Sequence, residues 1–166
     1  MGSDFFSFQV VSTFLAATVL PPLYLVSRRL FGERAAAIAL LLASLDLWIL
    51  HEAWFTWPKL LASAFVLLAL HFHLRSIEVD SPAPIRLALY AWASVLGGVL
   101  AHQIAAPYAA ALLVHRTALA WRDRTQRPSF RTVVAAGLLP LAVLGPWLAF
   151  ILSRFGPSTV LGTTPL

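Results

Sequence analysis

The densest group of residues able to do chemistry is the run His51-Glu-Ala-Trp-Phe-Thr-Trp-Pro-Lys59, which joins two apolar stretches. It holds an imidazole, a carboxylate and an ammonium among aromatic rings, a mixture suited to an anionic ligand with an apolar body. Lys59 falls at the start of a helix opened by Pro58, whose missing N–H is not needed in a first turn. One use of that placement is a lipid phosphate held jointly by Lys59 and the helix N-terminus. The other is a lysine that snorkels, its stem along the helix and its ammonium among head groups. Trp54 and Trp57 suit the aromatic belt of a membrane interface.

Two further groups sit near this run. Asp46 lies one to two turns before His51 and Glu52, within an apolar stretch. An ionisable side chain at that depth either faces a polar cavity or bonds a neighbouring helix or the interface. His51, Glu52 and His102 supply the nitrogen and oxygen donors of a divalent metal if their turns meet, but no spacing requires it. No cofactor is therefore expected. His71 and His73 point about 200° apart on a helix and cannot share a metal on one face. There is no phosphate-binding glycine loop, nucleophile elbow or HExxH, and without cysteine there is no thiolate chemistry.

The elements that carry these residues are apolar throughout. Of 166 residues, 60% are hydrophobic and 11% charged, against about 25% charged in soluble domains. Too few polar residues remain to cover a soluble surface. The expected fold is all-α: a polytopic transmembrane bundle in one domain, with about six spans near 6–26, 35–53, 57–74, 87–103, 105–121 and 132–152. The alternation of β-barrel strands is missing. Gly97-Gly98 permits close helix approach, and Pro140 and Pro146 are expected to bend the last helix.

Charge orders the spans. The net charge of +5 comes from 12 basic residues, all Arg except Lys59. They cluster between apolar runs rather than forming the solvated stripe of a nucleic-acid reader, so no nucleic acid is expected. The first, third and fifth connections hold Arg28, Arg29, Arg34, Arg75, Arg86, Arg116, Arg122, Arg124, Arg127 and Arg131; the opposite side holds Lys59 and Arg154. The Arg-rich side is then cytoplasmic, and both ends of the sequence are extracytoplasmic. Met1–Phe8 has no basic flank and no signal-peptide features. The expectation is a fragment lacking at least one upstream helix.

Several motifs resemble a family. These are Pro22-Leu-Tyr24 followed by Arg28-Arg29-Leu-Phe-Gly32-Glu-Arg-Ala-Ala, and Trp54-Phe-Thr-Trp57-Pro58-Lys59 leading into Leu-Leu-Ala-Ser-Ala-Phe. Gly97-Gly-Val-Leu-Ala-His102, Gly145-Pro-Trp147 and Arg154-Phe-Gly156 continue the pattern. Together they resemble bacterial membrane glycosyltransferases of the type C fold (GT-C), in the branch of protein O-mannosyltransferases and the lipid A aminoarabinose transferase.

The resemblance implies transfer of a sugar from a polyprenyl-phosphate donor to an acceptor at the extracytoplasmic face of a bacterial inner membrane. It gives Lys59, with Arg154, the task of holding the donor phosphate. Trp57, His51, Glu52, Asp46 and His102 would line the outer cavity. The family's catalytic carboxylate lies in the first outer loop, which this chain lacks; Asp4 stands near its remnant without the motif. On that reading the fragment alone is inactive. The competing classes are a transporter or flippase module, which predicts paired repeats and interrupted helices at the midplane, and a non-catalytic membrane protein that packs against partners.

Overall fold

The computed structural model describes residues 3–54, 58–78, 83–123 and 130–156. All its regular elements are helices. They are α1 (Ser3–Ala17), α2 (Leu20–Phe31), α3 (Glu33–Leu45), α4 (Leu47–Trp54), α5 (Lys59–Ser76), α6 (Pro84–Ala101), a 3-10 turn (Gln103–Ala105), α7 (Ala106–Arg122) and α8 (Phe130–Phe155). Contacts divide the chain into one unit of residues 1–127 and a second from 128 onward that contains α8. Within the second unit, α8 continues through both Pro140 and Pro146.

Local chemistry explains each break in the first unit. Pro21 and Pro22 have no N–H to donate to the carbonyls at 17 and 18, and two consecutive losses interrupt the α-helical ladder here. The chain tightens instead, with Thr18 N–H to Leu15 O and Val19 N–H to Ala16 O, both 3.2 Å. The prolines then open α2. Its last turn holds Arg28 and Arg29, cations placed at the negative end of the helix. Gly32, at φ 88°, closes α2 and starts α3, a backbone state that glycine adopts without a Cβ penalty.

The second expected span, 35–53, is two helices. Asp46 leaves α3 in extended conformation, and its Oδ1 accepts the Ile49 N–H at 2.9 Å. This is an N-cap on α4. The pairing of pieces gives the path: α2 packs on α3 and α1 on α4, so the chain runs out along α1–α2 and returns antiparallel along α3–α4.

α5 lies against this hairpin and packs most extensively on α6. A Cβ built on Gly98 would lie 3.2 Å from Ala105 Cβ, 3.3 Å from Phe65 Cβ and 3.4 Å from Ala62 O. The missing side chain lets the end of α6 seat on the beginning of α5, so these two helices are also antiparallel. The core is made of small residues, among them Ala36, Ala62, Ala64, Ala69, Ala91 and Val95, the composition that brings helix backbones close in membranes.

Among the described residues, three stretches are long and apolar enough to cross a membrane: Phe5–Phe31, Lys59–Ser76 and Pro84–Ala101. They overlap the first, third and fourth expected spans and mark an integral membrane protein. The first runs further than expected, so Arg28 and Arg29 are helical rather than in a connection. Large apolar side chains remain on the protein surface, including Phe5, Phe6, Phe14, Leu41, Leu42 and Leu47. Water would penalise such an exterior, whereas lipid solvates it.

Candidate functional site

The end of the first unit opposite the Gly32 turn collects most of the polar residues singled out in the sequence. Glu52, in the last turn of α4, is buried at 7% exposure. Its Oε1 lies 3.7 Å from Nζ of Lys59, whose side chain is 38% exposed. Its Oε2 is buried without a hydrogen-bond partner. A buried carboxylate needs compensation, and the ammonium on the next helix faces one of its oxygens as an ion pair rather than a hydrogen bond. The other oxygen can still accept a proton donor.

Lys59 is also the first residue of a stripe. Ala62, Ser63, Val66 and Leu67 follow at three, four, seven and eight residues, one face of a helix. These four form one wall of a groove of about 230 Å³, with Ile104 and Tyr108 opposite. The groove is mostly apolar, and Lys59 stands on the same face of α5 one turn before its lining begins. An elongated amphiphile with an anionic end matches this arrangement in shape and charge.

The remaining candidates are placed differently. His102 turns its ring back on the chain, with Nδ1 accepting the Ile104 N–H at 3.1 Å, which caps the 3-10 turn that carries the far wall of the groove. Asp46 is exposed and engaged as the α4 cap. His51 is exposed on α4. Trp57 lies outside the described residues. Arg154 is exposed in the last turn of α8, within the second unit. Among the described residues, no group of three or more His, Asp or Glu is placed to hold a metal ion.

A second polar cluster, not anticipated from spacing, occupies the other end. His73 on α5 and His115 on α7 meet with Nε2 and Nδ1 2.8 Å apart. Arg116 follows on α7, and Arg29 on α2 pairs with Glu78 just beyond α5. These residues are 42 positions apart in the case of the two histidines, so only the antiparallel return of α7 reveals the pair. The first unit thus has an Arg-rich end and an end headed by Lys59.

Compared with protein-family models, curated proteins and solved structures, the chain matches none of them.

Proposed function

We propose that this chain is the membrane-embedded part of a GT-C-like glycosyltransferase that takes a sugar from a polyprenyl-phosphate donor and passes it to an acceptor on the extracytoplasmic face. The observation that carries the proposal is the apolar groove along α5 with Lys59 one turn before it on the same helix face. A polyprenyl phosphate has a compact anionic head and a long apolar tail, and this face of α5 carries a lysine followed by an apolar channel. The phosphate sits at Lys59 and the first part of the tail lies over Ser63 and Val66. The rest of the tail stays in lipid, which agrees with a groove smaller than the roughly 300–1,000 Å³ of pockets that enclose a whole ligand.

Lys59 does two things in this reading. It selects the phosphate, and it neutralises charge on that phosphate as the bond to the anomeric carbon breaks. Glu52 fixes the ammonium against the groove. The sidedness rests on the positive-inside rule: the Arg-rich end faces the cytoplasm, so the Lys59 end faces out, with six crossings in all. The displacement itself also needs a carboxylate base from the first outer loop of the family.

The test is binding of a radiolabelled polyprenyl-phosphate sugar to the chain in nanodiscs. Lys59→Ala should weaken binding about tenfold or more, the loss of about 1.4 kcal/mol or more from a charged contact. Thermal unfolding of the same sample should show the helices intact. Unchanged binding to a folded Lys59→Ala variant would remove the phosphate role.

A further inference from the structure

At the Arg-rich end, Nε2 of His73 on α5 and Nδ1 of His115 on α7 stand 2.8 Å apart. The ring centroids are 5.1 Å apart and the planes cross at 68°, as in two imidazoles joined end to end by an N–H···N bond. His73 is buried at 6% exposure, whereas His115 is exposed. The bond crosses between two helices, one of which is loosely seated. No residue of α7 is buried, while α5 and α6 bury five each. A helix attached in this way leans on its polar contacts.

Proton counting gives the bond a condition. When both rings are neutral, their four nitrogens carry two protons, and one of these lies between Nε2 and Nδ1. A first added proton goes to the bare nitrogen on the far side of the donor ring, and the bond survives. A second has only the accepting nitrogen left, which sets N–H against N–H. One ring must then turn away. His73 shares a pocket with Ser76, Trp92 and Arg116, and the guanidinium, which keeps its charge, repels an imidazolium there. The ring that leaves is therefore the exposed one, His115.

The ionisable groups around the pair set the pH of that second step, whereas the valence of the two nitrogens sets its direction. From α7 these are His115 itself and Arg116. From α2, Arg29 pairs with Glu78 and stands with Arg75 beside His71. On α6, Arg86 and Tyr90 are exposed and the pocket residues Ala88, Ala91, Trp92 and Val95 do not titrate. Asp4 of α1 and His51 and Glu52 of α4 belong to the opposite end.

We infer that the His73–His115 hydrogen bond is an acid-released latch that holds α7 on α5, closed while either ring is neutral and open when both carry a proton. It does not depend on the groove along α5 or on sugar transfer.

The test is the distance between spin labels on Ile85→Cys of α6 and Ala118→Cys of α7, both exposed positions, in the full chain in phosphatidylcholine nanodiscs. Acidification through the imidazole range, around pH 6.5 and below, should shift a narrow distribution reversibly to longer, broader distances. A control pair on Ile85→Cys and Leu41→Cys should not respond. In His115→Gln, which cannot titrate, the α6–α7 response should vanish; in His115→Phe the longer distances should already be present in mild alkali. His115 is exposed, so neither change removes a core contact. Distances that ignore pH would overturn the inference, as would a response that survives in His115→Gln or appears equally in the control pair. A narrow, short distribution in His115→Phe would show that the bond does not hold α7.

Discussion

The seam between α5 and α6 positions both polar ends, and its two glycines make opposite demands that one experiment can separate. At Gly97 an added Cβ would stand 3.0 Å from Phe65 Cε1, 3.1 Å from Cδ1 and 3.2 Å from Cζ. All three are at the edge of one ring, which can turn aside. A side-chain displacement of that kind costs about 0.5–1.5 kcal/mol. Alanine in place of glycine inside a helix returns about 1 kcal/mol. Gly97→Ala should therefore be close to neutral.

At Gly98 the distances are longer, 3.2–3.4 Å, but the neighbours are Ala105 Cβ, Phe65 Cβ and Ala62 O. Each moves only with its backbone. Overpacking of this kind costs about 1–3 kcal/mol, so after the same helix gain Gly98→Ala should lose about 0–2 kcal/mol. At about 2–4 °C per kcal/mol, a central loss of 1 kcal/mol is a midpoint lowered by a few degrees. Thermal unfolding of both variants in one detergent is the assay. Phe65→Leu should improve Gly97→Ala and leave Gly98→Ala unrescued. If Gly97→Ala proves equally or more damaging than Gly98→Ala, the distinction between yielding and fixed neighbours is wrong.

Two other outcomes follow from the same architecture. Asp46→Ala should cost about 0.5–2 kcal/mol through loss of the α4 cap, with Asp46→Asn restoring most of it; amide exchange at Ile49 reports the bond directly. For topology, a single cysteine replacing Trp54 should react with an impermeant maleimide from outside the cell and one replacing Arg122 only after permeabilisation. The chain has no native cysteine to confuse the result, and the reverse pattern would invert the orientation.

Helicity and a lipid-facing exterior were legible in composition and in the spacing of charges. So was the close approach at Gly97-Gly98, because an absent side chain in an apolar helix has few other uses. The interruptions were harder to see, since in an apolar run hydropathy carries no boundary. The signals were conformational: Pro21-Pro22, which withhold two N–H groups, and Asp46, an N-cap residue type placed three positions before the amide it holds. Asp46 read as a residue facing an outer cavity, a neighbouring helix or the interface, because its charge was weighed and its capping geometry was not. Glu52 and Lys59 were recognisable as neighbours across one short turn. The His73–His115 contact was not, because it depends on the register of helices distant in sequence, which no local pattern encodes.

The break at Asp46 makes the direction of α4 independent of that of α3. Glu52 stands six residues beyond it, about 9 Å along the helix axis, whereas Lys59 opens an unbroken 18-residue helix. A swing of about 10° at Asp46 carries the Glu52 carboxylate sideways by about 1.6 Å on that arm. That is a large fraction of the 3.7 Å that separates it from the ammonium. The distance between the Glu52 carboxylate and the Lys59 ammonium is therefore set by the angle at which the eight-residue α4 leaves Asp46, an angle that the Asp46 cap and the packing of α4 on α1 hold.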